Sequence, residues 1–178
     1  IIMSTAIVID DSFSTSHNPQ TGQTSDGYIL RAEIAIGEAY LRKHPDAEII
    51  GLVSGPVSDF DQLVPDNGTP IKGFLDAVED FDQVVLIMDA ALIFSSRGGY
   101  PVEKEIQGFL QKKLLNDTDI QIVLVMNPLR AAGSLAPPIL HKPGMFGSET
   151  EESFRLRKML MPHITMIVDP RAILDFGF

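Results

Sequence analysis

The 178-residue sequence contains no cysteine and no tryptophan. Without a thiol there is no disulfide, no zinc–thiolate or iron–sulfur site and no cysteine nucleophile, and the composition suits a reducing compartment. Bases are scarce: 14 Lys and Arg stand against 24 Asp and Glu, a net charge of -10. The deficit is concentrated between Asp46 and Asp89, where Lys72 is the single base among ten acids. A surface that negative repels phosphate backbones, so nucleic acid is not an expected partner. Long hydrophobic runs are missing too. The longest, Val84 to Phe94, is interrupted by Asp89 and is too short to span a bilayer, so no membrane insertion is expected. No charged, apolar, small-residue signal layout opens the chain, and Met3, behind two isoleucines, is the expected start of a cytoplasmic protein.

What is present is an ordinary globular composition, with 44% hydrophobic and 21% charged residues. The length predicts a single domain over residues 1–178 with a full hydrophobic core. There is no repeat, low-complexity tract or linker. Short apolar runs alternate with longer amphipathic segments instead. Ala6 to Ile9 reads as a strand buried on both faces, and Tyr28 to His44 as a helix with Leu30, Ile34 and Leu41 on one side. Ser25 or Asp26 is the expected cap of that helix and Pro45 its stop. Glu48 to Ser54 reads as a strand, Gly55-Pro56 as a turn, and Phe60 to Val64 as a returning antiparallel edge strand. A helix follows from Pro70 to about Asp80, then a strand from Val84 to Met88, a helix from Val102 to Leu115 and a strand from Ile120 to Met126. Ser148 and Glu151 form a capping box for a helix to about Met161, and Ile164 to Val168 is the last strand. This alternation predicts an α/β fold: a doubly wound, mostly parallel sheet with one antiparallel edge strand and helices on both faces.

Ligands in such sheets bind beyond the carboxyl ends of the strands, near the point where strand order reverses. The first strand ends in Asp10-Asp11-Ser12-Phe13-Ser14, the Val84 run ends in Asp89, and Gly68-Thr69-Pro70 opens the helix before that run. Asp10, Ser12, Ser14, Thr69 and Asp89 thus offer two carboxylates and three hydroxyls on one predicted edge. An all-oxygen donor set suits a hard divalent cation, Mg2+ first, with Mn2+ or Ca2+ as alternatives. Taken singly, each feature is also an ordinary cap or turn former. Asp11 alternates away from Asp10, which predicts a surface or capping role, with support behind the ligands as the other reading.

Asp-x-Ser-x-Ser after a buried strand, then Gly-Thr-Pro, then an apolar run ending in Asp resembles the von Willebrand factor A-type domain. The resemblance covers about Thr5 to Asp89 by motif and continues loosely to the C-terminus. It implies a Rossmann-like fold carrying a metal-ion-dependent adhesion site, with Asp10, Ser12, Ser14, Thr69 and Asp89 as the metal-binding residues. It also implies binding rather than catalysis: a partner's Asp or Glu carboxylate completes the coordination of Mg2+. The sequence departs from the pattern at Asn67, where Gly is usual, and at Met88 and Ala90, which flank Asp89 in place of Thr and Gly. The C-terminal helix also looks truncated after Pro170.

Two other classes compete. Val8-Ile9-Asp10-Asp11 resembles the first strand of response-regulator receiver domains, which use Mg2+ beside a phospho-accepting Asp. There the acceptor should end the third parallel strand, but the Ile49 to Val53 run ends in Ser54-Gly55, and Asn127-Pro128 stands where a Lys is expected. A Mg2+-dependent hydrolase is the third reading. Gly-x-Ser-x-Gly is absent, and His17, His44, His141 and His163 form no pair at ligand spacing. For a protein partner, the loops at residues 90–101 and 127–147 offer Arg97, Tyr100, Arg130, Met145 and Phe146 as anchors of the kind that dominate interfaces. The same side chains could equally cover the sheet edge.

Overall fold

A computed structural model describes residues 3–11, 27–63, 77–89, 108, 111–113, 116–126, 158 and 161–178. Six strands form one sheet: β1 (Thr5–Ile9), β2 (Glu48–Gly51), β3 (Gly55–Val57), β4 (Gln83–Asp89), β5 (Asp119–Val125) and β6 (Ile164–Val168). Their order is β3-β2-β1-β4-β5-β6, and only β3 runs antiparallel to its neighbour. The expected α/β class and the mostly parallel sheet are therefore present.

The central strands carry apolar side chains at consecutive positions because both of their faces are closed to solvent. Every residue from Ala6 to Ile9 and from Val84 to Met88 is fully buried. On one face, Ile7, Ile9, Ile49, Val85, Ile87, Val123 and Val125 form a core with helix α1 (Tyr28–Lys43) and helix α2 (Pro170–Phe176). The two helices run in the same direction: Arg171 stacks 4.1 Å from the centre of the Tyr28 ring, and Phe178 lies 6.3 Å from Tyr40. Asp169 caps α2 by accepting a 2.9 Å hydrogen bond from the Arg171 N–H, and Pro170 fills the first turn, where no donor is needed. This helix has seven residues and is followed by Gly177.

At the amino edge of the sheet a polar chain ties three strands. Thr5 Oγ1 donates to Gln83 Oε1 at 3.1 Å, and Gln83 Nε2 donates to Asp119 Oδ2 at 2.9 Å. Beside it, the Ser4 N–H and hydroxyl both donate to Asp82 Oδ2 at 3.0 Å, holding that carboxyl below its usual pKa. Lys113 is buried, and its ammonium donates to the Glu79 carbonyl, while Lys112 pairs with the Glu79 carboxylate at the surface.

Three expectations are corrected. The antiparallel edge strand is Gly55–Val57, not the segment from Phe60. Phe60–Gln62 is instead a single 3-10 turn capped by Asp59, which accepts from the Asp61 N–H at 2.8 Å. The reversal lies before Gly55, whose φ of 74 is in the left-handed region. Pro56 pairs opposite Ile50, where an edge strand tolerates a missing donor. Helix α1 starts from Gly27, with φ 71 and no side-chain cap, rather than from a Ser25 or Asp26 cap. Its buried face is centred on Ile29, Glu33, Ile36 and Tyr40, with Ile34 and Leu41 only partly buried at the flank. The expected helices within residues 70–80, 102–115 and 148–161 fall mostly outside the described residues.

Candidate functional site

From β1 the chain crosses to β2 on one side and later reaches β4 on the other, so strand order reverses between β1 and β4. Parallel strands put their carboxyl ends on one edge, and the crevice at such a reversal is the usual ligand position. Asp10 is the first residue beyond β1, and Asp89 is the last residue of β4. The pairing of Ile9 with Ile87 sets Asp10 level with Met88, one residue short of Asp89. Sheet spacing puts the two α-carbons within about 6 Å of each other. Two of the five expected metal-site positions are therefore neighbours at the switch point.

Asp10 is fixed by the sheet itself. Its N–H donates to the Ile87 carbonyl at 3.0 Å, while the Ile9 carbonyl accepts from the Leu52 N–H at 2.8 Å, so the ladder continues on both sides to the end of β1. Its side chain is fully buried. Acids are almost never buried to that extent unless they are paired or coordinate a metal. Ser12, Ser14 and Thr69 lie outside the described residues, as does the side chain of Asp89. Arg97, Tyr100, Arg130, Met145 and Phe146 lie outside them too.

Asp11 is also fully buried, which corrects the surface reading, while its hydrogen bonds bear out the capping one. Its Oδ1 accepts from the Val53 N–H at 2.6 Å, and its Oδ2 from the Ser54 N–H at 3.1 Å and from the Ser54 hydroxyl. One carboxylate thus satisfies the donors of the β2–β3 turn, with two oxygens engaged as charged acceptors. Gly51 makes this contact feasible: a Cβ there would stand 2.5 Å from Asp11 Oδ2 and 2.8 Å from Leu63 Cδ2. Nothing local in Leu52-Val53-Ser54 announces this, because the capping group comes from more than 40 positions earlier in the chain.

Glu33 is a third fully buried acid, and sequence reasoning missed it. It lies one helical turn before Gly37 on α1. A Cβ at Gly37 would meet Phe60 Cε1 at 2.8 Å and Ile9 Cδ1 at 3.0 Å, so Gly37 sits level with the end of β1. Because α1 joins two parallel strands, it runs back from the carboxyl edge. That direction places Glu33 farther toward this edge than Gly37. The available signal was a glutamate inside an otherwise apolar arc.

The chemistry of the donor set fits a hard cation: a buried carboxylate at the switch point, a second carboxylate position beside it, and no cysteine thiolate anywhere in the chain. Among the described residues no three His, Asp or Glu side chains gather into a metal-binding group. The expected set has only two carboxylates, and four of its five side chains lie outside those residues. Also among the described residues, no helix is long and apolar enough to cross a membrane. No protein-family model matches the chain, and no curated protein matches it.

Proposed function

We propose that this chain is a von Willebrand factor A-type protein-binding domain. In this reading Asp10, Ser12, Ser14, Thr69 and Asp89 hold Mg2+, and a partner's Asp or Glu carboxylate completes the coordination. The observation that carries the reading is Asp10: a fully buried acid at the β1–β4 switch point, directly beside the strand that ends in Asp89. The sheet order and the short antiparallel β3 at its edge are consistent with that family's fold.

The chain's residues have a specific task here. Hydroxyl ligands are neutral, so a site built from Ser12, Ser14 and Thr69 with two acids quenches little of a divalent charge. When bound, the cation supplies an electrophilic position that favours an anionic oxygen. Asp10, with its backbone fixed by the bond to Ile87 and its side chain buried, has little freedom left to lose on binding. No bond is made or broken, and no catalytic residue is assigned.

The test is metal-dependent capture of a protein partner. Wild-type protein retains its partner in Mg2+ and releases it in EDTA, and Asp10→Ala or Ser12→Ala abolishes capture while the fold persists by circular dichroism. Capture indifferent to both the chelator and these substitutions overturns the reading.

A receiver-like phospho-acceptor is the second reading, because the structure changes one argument against it. The β2 strand is only the second parallel strand; the third is β4, next to β1, and it ends in Asp89. Against this reading, Asp11, the second acid of the pair expected to hold Mg2+, has both oxygens engaged by Val53 and Ser54. Acetyl-phosphate labelling of Asp89, lost in Asp89→Asn, is the result that selects it over the adhesive reading.

A further inference from the structure

We propose that Asp11 is the positioning residue of the metal site, orienting Asp10 by tying the end of the segment that carries it to the β2–β3 turn. The proposal rests on the metal-binding reading above and adds a residue outside its ligand set. Asp10 lies between two fixed points. On its amino side the N–H is bonded to Ile87 O at 3.0 Å, and on its carboxyl side the Asp11 carboxylate is held by Val53 and Ser54. A chain segment anchored on both sides of one residue leaves that residue's Cα–Cβ direction little freedom.

The clasp is built into the fold. Asp11 is fully buried, its two oxygens accept three hydrogen bonds, and Gly51 supplies the space beside Oδ2 that any side chain would fill. An Asn at position 11 has nearly the same shape but carries an amide NH2 in place of one acceptor oxygen. It therefore sets a donor against the donors of Val53 or Ser54, and the turn must shift. A residue that orients a ligand in this way typically alters metal affinity by about 10- to 100-fold without abolishing binding.

The experiment is Mn2+ binding by the full chain, followed by electron paramagnetic resonance of the free ion, for wild type, Asp10→Ala, Asp11→Asn and Ser54→Ala. Urea melts in the same buffer confirm that each variant is folded at the titration temperature. The expected result is tight binding by wild type, none by Asp10→Ala, a loss of about 10- to 100-fold in Asp11→Asn, and a smaller loss in Ser54→Ala. A residue that only holds the turn would lower the urea midpoint and leave the Mn2+ affinity of the folded protein unchanged. That outcome overturns the proposal while leaving the metal site intact. Complete loss in Asp11→Asn with full affinity in Ser54→Ala makes Asp11 a ligand and overturns it too. If Asp11→Asn fails to fold, Ser54→Ala, which removes the hydroxyl that donates to Asp11 and keeps both carboxylate oxygens in place, decides by its affinity alone. Absence of Mn2+ binding by wild type removes both the metal site and the proposal.

Discussion

Replacing Gly51 by Ala adds one methyl group at the most crowded point of the clasp. The new Cβ would lie 2.5 Å from Asp11 Oδ2, 2.8 Å from Leu63 Cδ2 and 3.0 Å from Ser54 Cβ. Leu63 can rotate away, but the carboxylate is held by three donors and the Ser54 Cβ belongs to a turn fixed by that carboxylate. The relief available is to move Oδ2 and give up its two hydrogen bonds from Ser54. Bonds to a charged group contribute roughly 1.5–3 kcal/mol each, so the loss is about 3–6 kcal/mol. Alanine restricts the unfolded chain more than glycine, which returns about 0.4–1 kcal/mol. The net expectation is a destabilisation of about 2–5 kcal/mol, a large share of the roughly 5–15 kcal/mol a domain typically has. With a urea slope of roughly 2 kcal/mol per molar, the midpoint should fall by about 1–2.5 M at unchanged slope. Asp11→Ala in the same background provides the control. With the carboxylate gone, Gly51→Ala should cost less, with a coupling of about 1–3 kcal/mol in the double-mutant cycle. A midpoint within about 0.25 M of wild type, or strict additivity with Asp11→Ala, refutes the steric reasoning.

Two further substitutions probe the packing and the amino edge. Gly37→Ala gains about 1 kcal/mol of helix propensity but pushes into the Phe60 ring and Ile9, which costs about 1–3 kcal/mol; a small net loss in the urea midpoint is expected, and a clear gain would show that Phe60 yields freely. Asp82 has a lowered folded pKa through its bonds from Ser4, so its contribution is present above the unfolded carboxyl pKa and is lost as pH falls through the folded value. Asp82→Asn should therefore be less stable than wild type at neutral pH, with the difference closing as urea midpoints are taken down into the acid range. A difference that stays constant with pH would refute the assignment.

The residues that were legible and those that were not differ in where their partners lie. Ala6 to Ile9 and Val84 to Met88 announced buried strands because each position in them is apolar, and a strand covered on both faces demands that. Asp10 was legible as a candidate from its place at the end of such a run, and the structure buries it there. For Asp11 a capping role was legible but its target was not, because its partners are at Val53 and Ser54, and no spacing rule connects those positions. The edge strand was misplaced for a related reason: the Leu52–Ser54 reversal is stabilised from β1, so local turn residues at Gly55-Pro56 looked like the corner when they form the strand. In α1, the charge on Glu33 disguised the centre of the buried face, and periodicity drew attention to the flank instead.

The order of strand and helix segments along the chain was enough to specify an α/β architecture, since apolar runs of that length bury themselves only between covering layers, and the all-oxygen character of the motif residues needed no coordinates. Which strands became neighbours was decided in three dimensions. The placement of β1 between β2 and β4 creates the crevice where Asp10 meets the end of β4, and the same folding brings Gly51 and the turn against Asp11. Pairing between strands is a contact across tens of residues, with free energy drawn from burial shared by the whole sheet, so no local stretch of sequence encodes it.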